Sequence, residues 1–243
     1  LSWRDITVRY KQTSLGIAWA FAQPLFAMLV FSVFLGNVAA ITGGVEHYTL
    51  FVFAGMLPWT FLSSSLAQSG NSIVANERLV TKAYFPRLHV PFSTVGSCLF
   101  DFAIALLLLI GMICWYGITP SWSLLMAPVA AGLMIMTAMG VGAMLGALVA
   151  VQRDFRYVLN YCIQIWMFAT PSIYRPTSSM GETAQLWVPL NPAHGLIETF
   201  RLAVLGQPIN WYSFGVSSAV ALVLSAFGLA YFRRMERIFA DVI

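Results

Sequence analysis

The sequence predicts an all-α membrane protein of six transmembrane helices, and three observations carry that prediction. Of its 243 residues, 59% are apolar and only 9% charged, with a mean hydropathy of +0.79, whereas a soluble domain carries about 25% charged residues. The apolar residues gather into six runs, 15–41, 48–69, 90–115, 124–151, 157–174 and 211–232, each near or above the length that spans a hydrocarbon core of about 30 Å. The Lys and Arg sit between these runs in short clusters, and no ten-residue apolar/polar alternation of the barrel kind is present.

The chain opens on WRDITVRYKQTSLGIAWAFAQP, residues 3–24. On a helix, Trp3, Ile6 and Tyr10 fall on one side with Thr7 and Ser14, while Arg4, Asp5, Arg9 and Lys11 spread over the other. Residues 1–14 therefore suit a helix lying in the membrane interface, with rings at headgroup level and cations toward water or lipid phosphate. Cations that simply flank a first span fit the same pattern. From Leu15 the charges stop until Glu46, which makes room for the first span. The chain starts at Leu1 without a cleavable signal pattern or an initiator Met, so further N-terminal residues are expected.

Six spans place both ends on one side, and the cations choose which. Arg4, Arg9 and Lys11 precede span 1, Arg78, Lys82 and Arg87 lie between spans 2 and 3, Arg153 and Arg156 between spans 4 and 5, and Arg233, Arg234 and Arg237 after span 6. Only Arg175 and Arg201 of the thirteen fall on the opposite face. By the positive-inside rule both termini are cytoplasmic. The net charge of +4 reports topology and forms no continuous basic face of the kind nucleic acid needs.

The external connections 42–47 and 117–123 are too short to be domains. The cytoplasmic stretch 71–90 is longer. There Asn76 can cap a short helix with Glu77 in its first turn, Arg78, Leu79, Val80, Lys82 and Tyr84 follow, and Pro86 stops it. So short a helix gains stability by docking into another protein; an interfacial tether between two spans is the alternative. The external stretch 175–210 is too long for a turn and too broken for a span. It holds Glu182, then Asn191 as a cap with Pro192 in the first helical position. His194, Glu198 and Arg201 follow as a polar stripe beside Leu196, Ile197, Phe200 and Val204. Such half-length helices read either as re-entrant elements packed in protein or as amphipathic helices on the outer leaflet.

Few residues are placed for catalysis. Asp101 is the one acid well inside a predicted span, suited to a structural hydrogen bond or ion pair, or to a proton relay. His47, His89 and His194 lie far apart in sequence and match no Ser/His/Asp or metal-ligand spacing. Cys98, Cys114 and Cys162 read as small core residues. Neither lysine, Lys11 or Lys82, follows a phosphate-binding glycine loop, so any ATP must be hydrolysed by another chain. Aromatic residues are plentiful, and most suit packing or interfacial belts. Trp19 and Phe26 in span 1, and Tyr157, Tyr161 and Phe168 in span 5, recur at helical spacing and can line a path on which sugar C–H faces lie against rings.

Four segments, WRDITVRYKQTSLGIAWAFAQPLF, FVFAGMLPWTFLSSSL, ANERLVTKAYFPRLHVP and LNPAHGLIETFR, occur in an order that resembles the membrane subunit of ABC-2 type exporters. Specifically the chain is similar to the permeases that export O-antigen, capsule and teichoic acid chains. The resemblance implies a permease of the cytoplasmic (inner) membrane, present as two copies with two copies of a separate nucleotide-binding subunit that carries ATP and Mg; the chain itself would hold no cofactor or metal and catalyse nothing. It also implies that 76–87 is the coupling helix, with Glu77, Arg78, Lys82, Tyr84, Phe85 and Arg87 facing the ATPase. On the same basis the region around 180–206 forms an external gate with Glu182, His194, Glu198 and Arg201, and Arg4, Arg9 and Lys11 meet a lipid-linked head at the cytoplasmic rim. Rival readings are an ABC-2 exporter of a small drug or lipid, an ion-coupled secondary transporter depending on Asp101, and a membrane glycan-processing enzyme.

Overall fold

The computed structural model describes residues 2, 7, 18–35, 47–77, 86–119, 121–170 and 186–236, and every regular element among them is helical. The α-helices are α1 (Ala18–Leu35), α2 (Tyr48–Ala75), α3 (His89–Tyr116), α4 (Met126–Val151), α5 (Phe155–Ala169), α6 (Pro192–Val204) and α7 (Trp211–Met235). Short 3-10 turns, Trp122–Leu125 and Val188–Leu190, lead into α4 and α6. Among the described residues four segments are long and apolar enough to cross a membrane: Tyr48–Ala75, His89–Tyr116, Trp122–Val151 and Trp211–Met235.

Helix α2 is the axis. It packs against α1, α3, α4, α5 and α6, while α7 closes the far side of α4 and α6. Leu50, Phe53, Leu57, Leu62 and Leu66 of α2 form one core with Phe102, Leu109, Met134, Leu196 and Phe200. In lipid this burial gains little from water exclusion, so close packing and interhelical hydrogen bonds must hold the helices together. The sequence supplies both. Ser69 Oγ lies 2.8 Å from Thr94 Oγ1 and donates to the Pro91 carbonyl at 3.2 Å, joining α2 to α3. On α4, a β-carbon on Gly142 would sit 2.8 Å from Ser69 Cβ and one on Gly146 2.9 Å from the Ser69 carbonyl. Gly140 meets Ser225 and Gly228 of α7 so closely that backbone touches backbone.

Large apolar side chains cover the outside: Leu107, Ile110, Val129, Met136, Val223 and Phe227 are all exposed, as a lipid-facing skin requires.

Several boundaries differ from the sequence reading. Helix α2 continues through 71–75, which hydropathy assigned to the cytoplasmic loop. Its polar side chains bond back along the helix: Asn71 Nδ2 donates to Ala67 O at 2.8 Å, Ser72 Oγ to Ser69 O at 2.7 Å and Asn76 Nδ2 to Ser72 O at 2.9 Å. Asn76 therefore ends α2. Helix α7 runs past Phe232 through Arg233 and Arg234, which suit the negative end of a helix dipole. Of the three cysteines only Cys98 is buried; Cys114 and Cys162 lie exposed on helix surfaces rather than in the core.

Candidate functional site

Two neighbouring features stand apart from ordinary helix packing: the outer face of α5 and the environment of α6.

Helix α5 follows a break at Gln152–Asp154 and presents one inward face, with Leu159 buried and Phe155, Ile163 and Trp166 half-buried. The opposite face carries Tyr157, Tyr161 and Phe168, which are 69%, 68% and 76% exposed, with the amides of Asn160 and Gln164 exposed among them. Arg156 stands over the Tyr157 ring at 5.4 Å. Rings alone would suit lipid. Two amides on the same face do not, because an unpaired amide in hydrocarbon costs several kcal/mol, of order 4–8. The surface suits a wet, sugar-like environment or another protein chain. Phe26 of α1, another sequence-predicted ring, is also exposed.

Helix α6 begins as the sequence predicts, with Asn191 Oδ1 accepting the Ala193 N–H at 3.1 Å and Pro192 in the first turn. Of the two readings the sequence left open, its surroundings agree with a helix packed in protein and not with one lying on the outer leaflet. Between Pro192 and Val204 only Glu198 and Leu202 escape burial, and the helix is packed among α2, α4 and α7. Close approach is possible because Gly195 lies against Ser213 and Ser217 of α7, with the Gly195 N–H donating to Ser217 Oγ at 3.1 Å.

The polar residues turn inward. His194 Nε2 is 3.4 Å from Glu198 Oε2, and Ser213 Oγ donates to the same carboxylate oxygen at 2.9 Å. Helix α6 is not one of the four spanning segments; there burial pushes the His194 imidazole below the usual histidine range, the Glu198 carboxylate opposing this and Arg201 adding to it. A neutral imidazole can still bond to Glu198. Arg201 is 2% exposed, and its guanidinium carbon lies 4.1 Å from the centre of the Phe51 ring in α2. A desolvated cation on a ring contributes about 2 kcal/mol. Phe51→Leu, which keeps an apolar side chain but removes the ring, should therefore lower the stability of the purified protein by about that much, measured as a fall in thermal midpoint.

Other predicted site residues are scattered or lie elsewhere. Asp101 is half-buried in α3. Glu77 is exposed at the end of α2. Arg87 donates from Nη1 to the carbonyl of Glu236 at the end of α7, so the chain just before α3 is fastened to the last helix. Arg4, Arg9, Lys11, Arg78, Lys82, Tyr84, Phe85 and Glu182 lie outside the described residues, as does the side chain of Trp19. Ser2 is described, and its carbonyl accepts from Ser97 Oγ at 3.5 Å, so the start of the chain touches α3. Among the described residues no group of three His, Cys, Asp or Glu is placed to hold a metal.

Sequence reading overlooked Asn160 and Gln164, whose spacing with Tyr157 and Tyr161 was available as a signal. It also overlooked Phe51 as the seat of Arg201, for which periodicity holds no sign. A further feature is an almost wholly apolar groove of about 990 Å³ between α3 and α4, with Cys114 and Trp122 in its walls and Phe200 and Val204 among its lining residues.

Long apolar helices held by small residues, a buried short helix and an outward row of rings and amides define a polytopic helical membrane protein. The chain belongs to the ABC-2 type transporter family, whose model matches residues 1–205. It is 30% identical over 201 residues to the O-antigen export system permease protein RfbA of Myxococcus xanthus, covering 82% of this chain and 76% of that protein. Two Klebsiella pneumoniae proteins, each also named O-antigen export system permease protein RfbA, are 28% identical over 99% of this chain and 92% of their own length.

Proposed function

We propose that this chain is the membrane-spanning permease subunit of an ATP-driven exporter that moves a lipid-linked polysaccharide or polyol phosphate, of the O-antigen, capsule or teichoic acid kind, across the cytoplasmic membrane. The observation that carries the reading is the outer face of α5, where Tyr157, Tyr161 and Phe168 alternate with Asn160 and Gln164. A sugar chain is amphipathic, and this face offers rings to its C–H surfaces and amides to its hydroxyls. The relatives' names point the same way.

On this reading the chain has six spans, with α1 and the segment containing α5 adding to the four long apolar segments, and its termini are cytoplasmic. Two copies face each other across the path, their α5 rings and Phe26 turned toward it, with Trp19 kept as a candidate from the sequence alone. The connection 76–87, with Glu77, Arg78, Lys82, Tyr84, Phe85 and Arg87, takes the push of a separate nucleotide-binding subunit. Arg87 passes part of it to α7 through Glu236. Helix α6 and the residues before it close the path outside, His194, Glu198 and Arg201 holding α6 in place. Arg4, Arg9 and Lys11 sit where a lipid pyrophosphate enters, a group that arginine can bind bidentately.

The small-amphiphile reading has one observation on its side, the groove between α3 and α4, because an apolar cleft suits such cargo. Purification of the native complex through a tag on this chain separates the readings. The expected result is a co-purifying subunit with a phosphate-binding loop at one copy per permease, whose ATP hydrolysis is stimulated by lipid-linked glycan. A chain that comes out alone overturns the ATP-driven reading; hydrolysis stimulated by small amphiphiles and indifferent to glycan transfers the assignment to the groove.

A further inference from the structure

The side chain of Asn191 uses its full hydrogen-bonding capacity, two acceptor and two donor positions. Its Oδ1 accepts from the Ala193 N–H at 3.1 Å and from Trp166 Nε1 at 3.0 Å. Its Nδ2 donates to Thr170 Oγ1 at 2.9 Å and to the Ala169 carbonyl at 3.4 Å. Ala193 belongs to the first turn of α6; Trp166 and Ala169 lie in the last turn of α5, and Thr170 follows it. One amide thus caps the N-terminus of one helix and the C-terminal end of another, satisfying orphan groups on both.

The surroundings stiffen this joint. Thr170 is buried. The Trp166 ring meets Trp59 of α2 edge to face, with centroids 5.6 Å apart. On the other side of Asn191, its own carbonyl accepts from Ser217 Oγ of α7 at 3.3 Å, and the same hydroxyl donates to the Pro189 carbonyl at 2.7 Å.

We propose that Asn191 is the positioning residue that makes the ring-bearing helix α5 and the buried helix α6 move as one unit, so that displacement of the path-lining face carries the external gate with it. The inference rests on the reading of α6 as part of that gate. Both helices also pack on α2 and α4, and α6 on α7 besides, so shared neighbours relate them only indirectly, whereas the bonds of Asn191 tie the end of α5 straight to the start of α6.

Asn191→Asp separates the two roles of the side chain. A carboxylate still caps α6, where the positive end of the helix dipole favours it, and still accepts from Trp166. It sets an oxygen against the Ala169 carbonyl, to which it has no proton to give. The cap is kept, while the joint to α5 loses its bond to Ala169 and is weakened. Trp166→Phe is the second variant; it keeps a smaller ring against Trp59 and removes the indole donor.

The test is a spin-label distance between Ile165 on α5 and Leu190 beside α6, both exposed, in full-length protein whose native cysteines are replaced by serine, reconstituted in bilayers with its partner subunits. With the labelled copy paired with an unlabelled one, native Asn191 should give one narrow distance. Asn191→Asp should lose it to a broad distribution, with Trp166→Phe intermediate and the thermal midpoint little changed. Export should fall about tenfold, within the range for loss of one coupling between two elements. An unchanged narrow distance in Asn191→Asp overturns the proposal. A broadened distance with export at the native level upholds the joint and removes α6 from the gate.

Discussion

Gly228→Leu should leave little folded protein in the membrane, and Gly140→Leu should do the same, while Gly132→Leu and Gly215→Leu accumulate normally. The four positions are chemically alike and differ in what a side chain would meet. At Gly228 a β-carbon would overlap the Gly140 carbonyl, and at Gly140 it would overlap the backbone of Ser225. At Gly132 and Gly215 nothing lies within 4 Å. Overpacking a flexible side chain costs about 1–3 kcal/mol. Here the obstruction is backbone, so α4 and α7 must separate along their crossing, and the cost should reach at least about 3 kcal/mol.

Helix separation matters more in this molecule than in a soluble one. The contact between α4 and α7 is dispersion between close surfaces, and lipid tails compete for either surface on nearly equal terms. Ser225, whose hydroxyl turns back onto the Ala221 carbonyl at 2.6 Å, adds no bond across the interface. Proximity itself holds the pair. The measurement is the fraction of each variant that survives mild detergent extraction as a monodisperse species. Equal recovery of Gly228→Leu and Gly215→Leu would show that the α4–α7 crossing is not where the bundle gets its stability.

The parts of this fold legible in sequence are those imposed by the bilayer. A span must be apolar along its whole length, so hydropathy placed the cores of α2, α3, α4 and α7 within a few residues. The start of α6 was equally legible, because Asn191 and Pro192 are a local cap signal that needs no tertiary partner. Where a boundary depended on satisfied polar groups, hydropathy misread it: Asn71, Ser72 and Asn76 look like a loop and belong to the end of α2, since each bonds to a carbonyl one turn back. The stripe of His194, Glu198 and Arg201 was legible as a stripe, and which way it faces was not. Helical spacing tells which residues share a side, and for a helix enclosed by three others it cannot tell which side meets water. The contact of Arg201 with Phe51 and the bonds from Asn191 to α5 join residues distant in sequence, and local pattern carries no trace of them.

Replacing Tyr157, Tyr161 and Phe168 together by Leu should lower polysaccharide export at least about tenfold without lowering the amount of folded protein, a loss equivalent to ~1.4 kcal/mol on the barrier. That is a small demand on three rings when one aromatic contact contributes about 0.5–1.5 kcal/mol. The informative companion is Asn160→Leu with Gln164→Leu. If this face of α5 met lipid, removing two amides from hydrocarbon would stabilise the protein and leave transport alone. If it lines a path for a hydrated polymer, the same change makes the wall greasy, strips the hydroxyls of partners and slows export. Phe227→Leu on α7, an exposed ring in the apolar skin with no exposed amide beside it, should change nothing. Export is read as lipid-linked polysaccharide reaching the outer leaflet, normalised to protein. Native export from the amide pair, combined with a higher thermal midpoint, would put α5 against lipid and require the path to be sought elsewhere in the bundle. Loss of export from both the ring and the amide variants, with Phe227→Leu at the native level, identifies the mixed face as the wall, because only a substrate with both C–H and hydroxyl surfaces depends on both kinds of side chain.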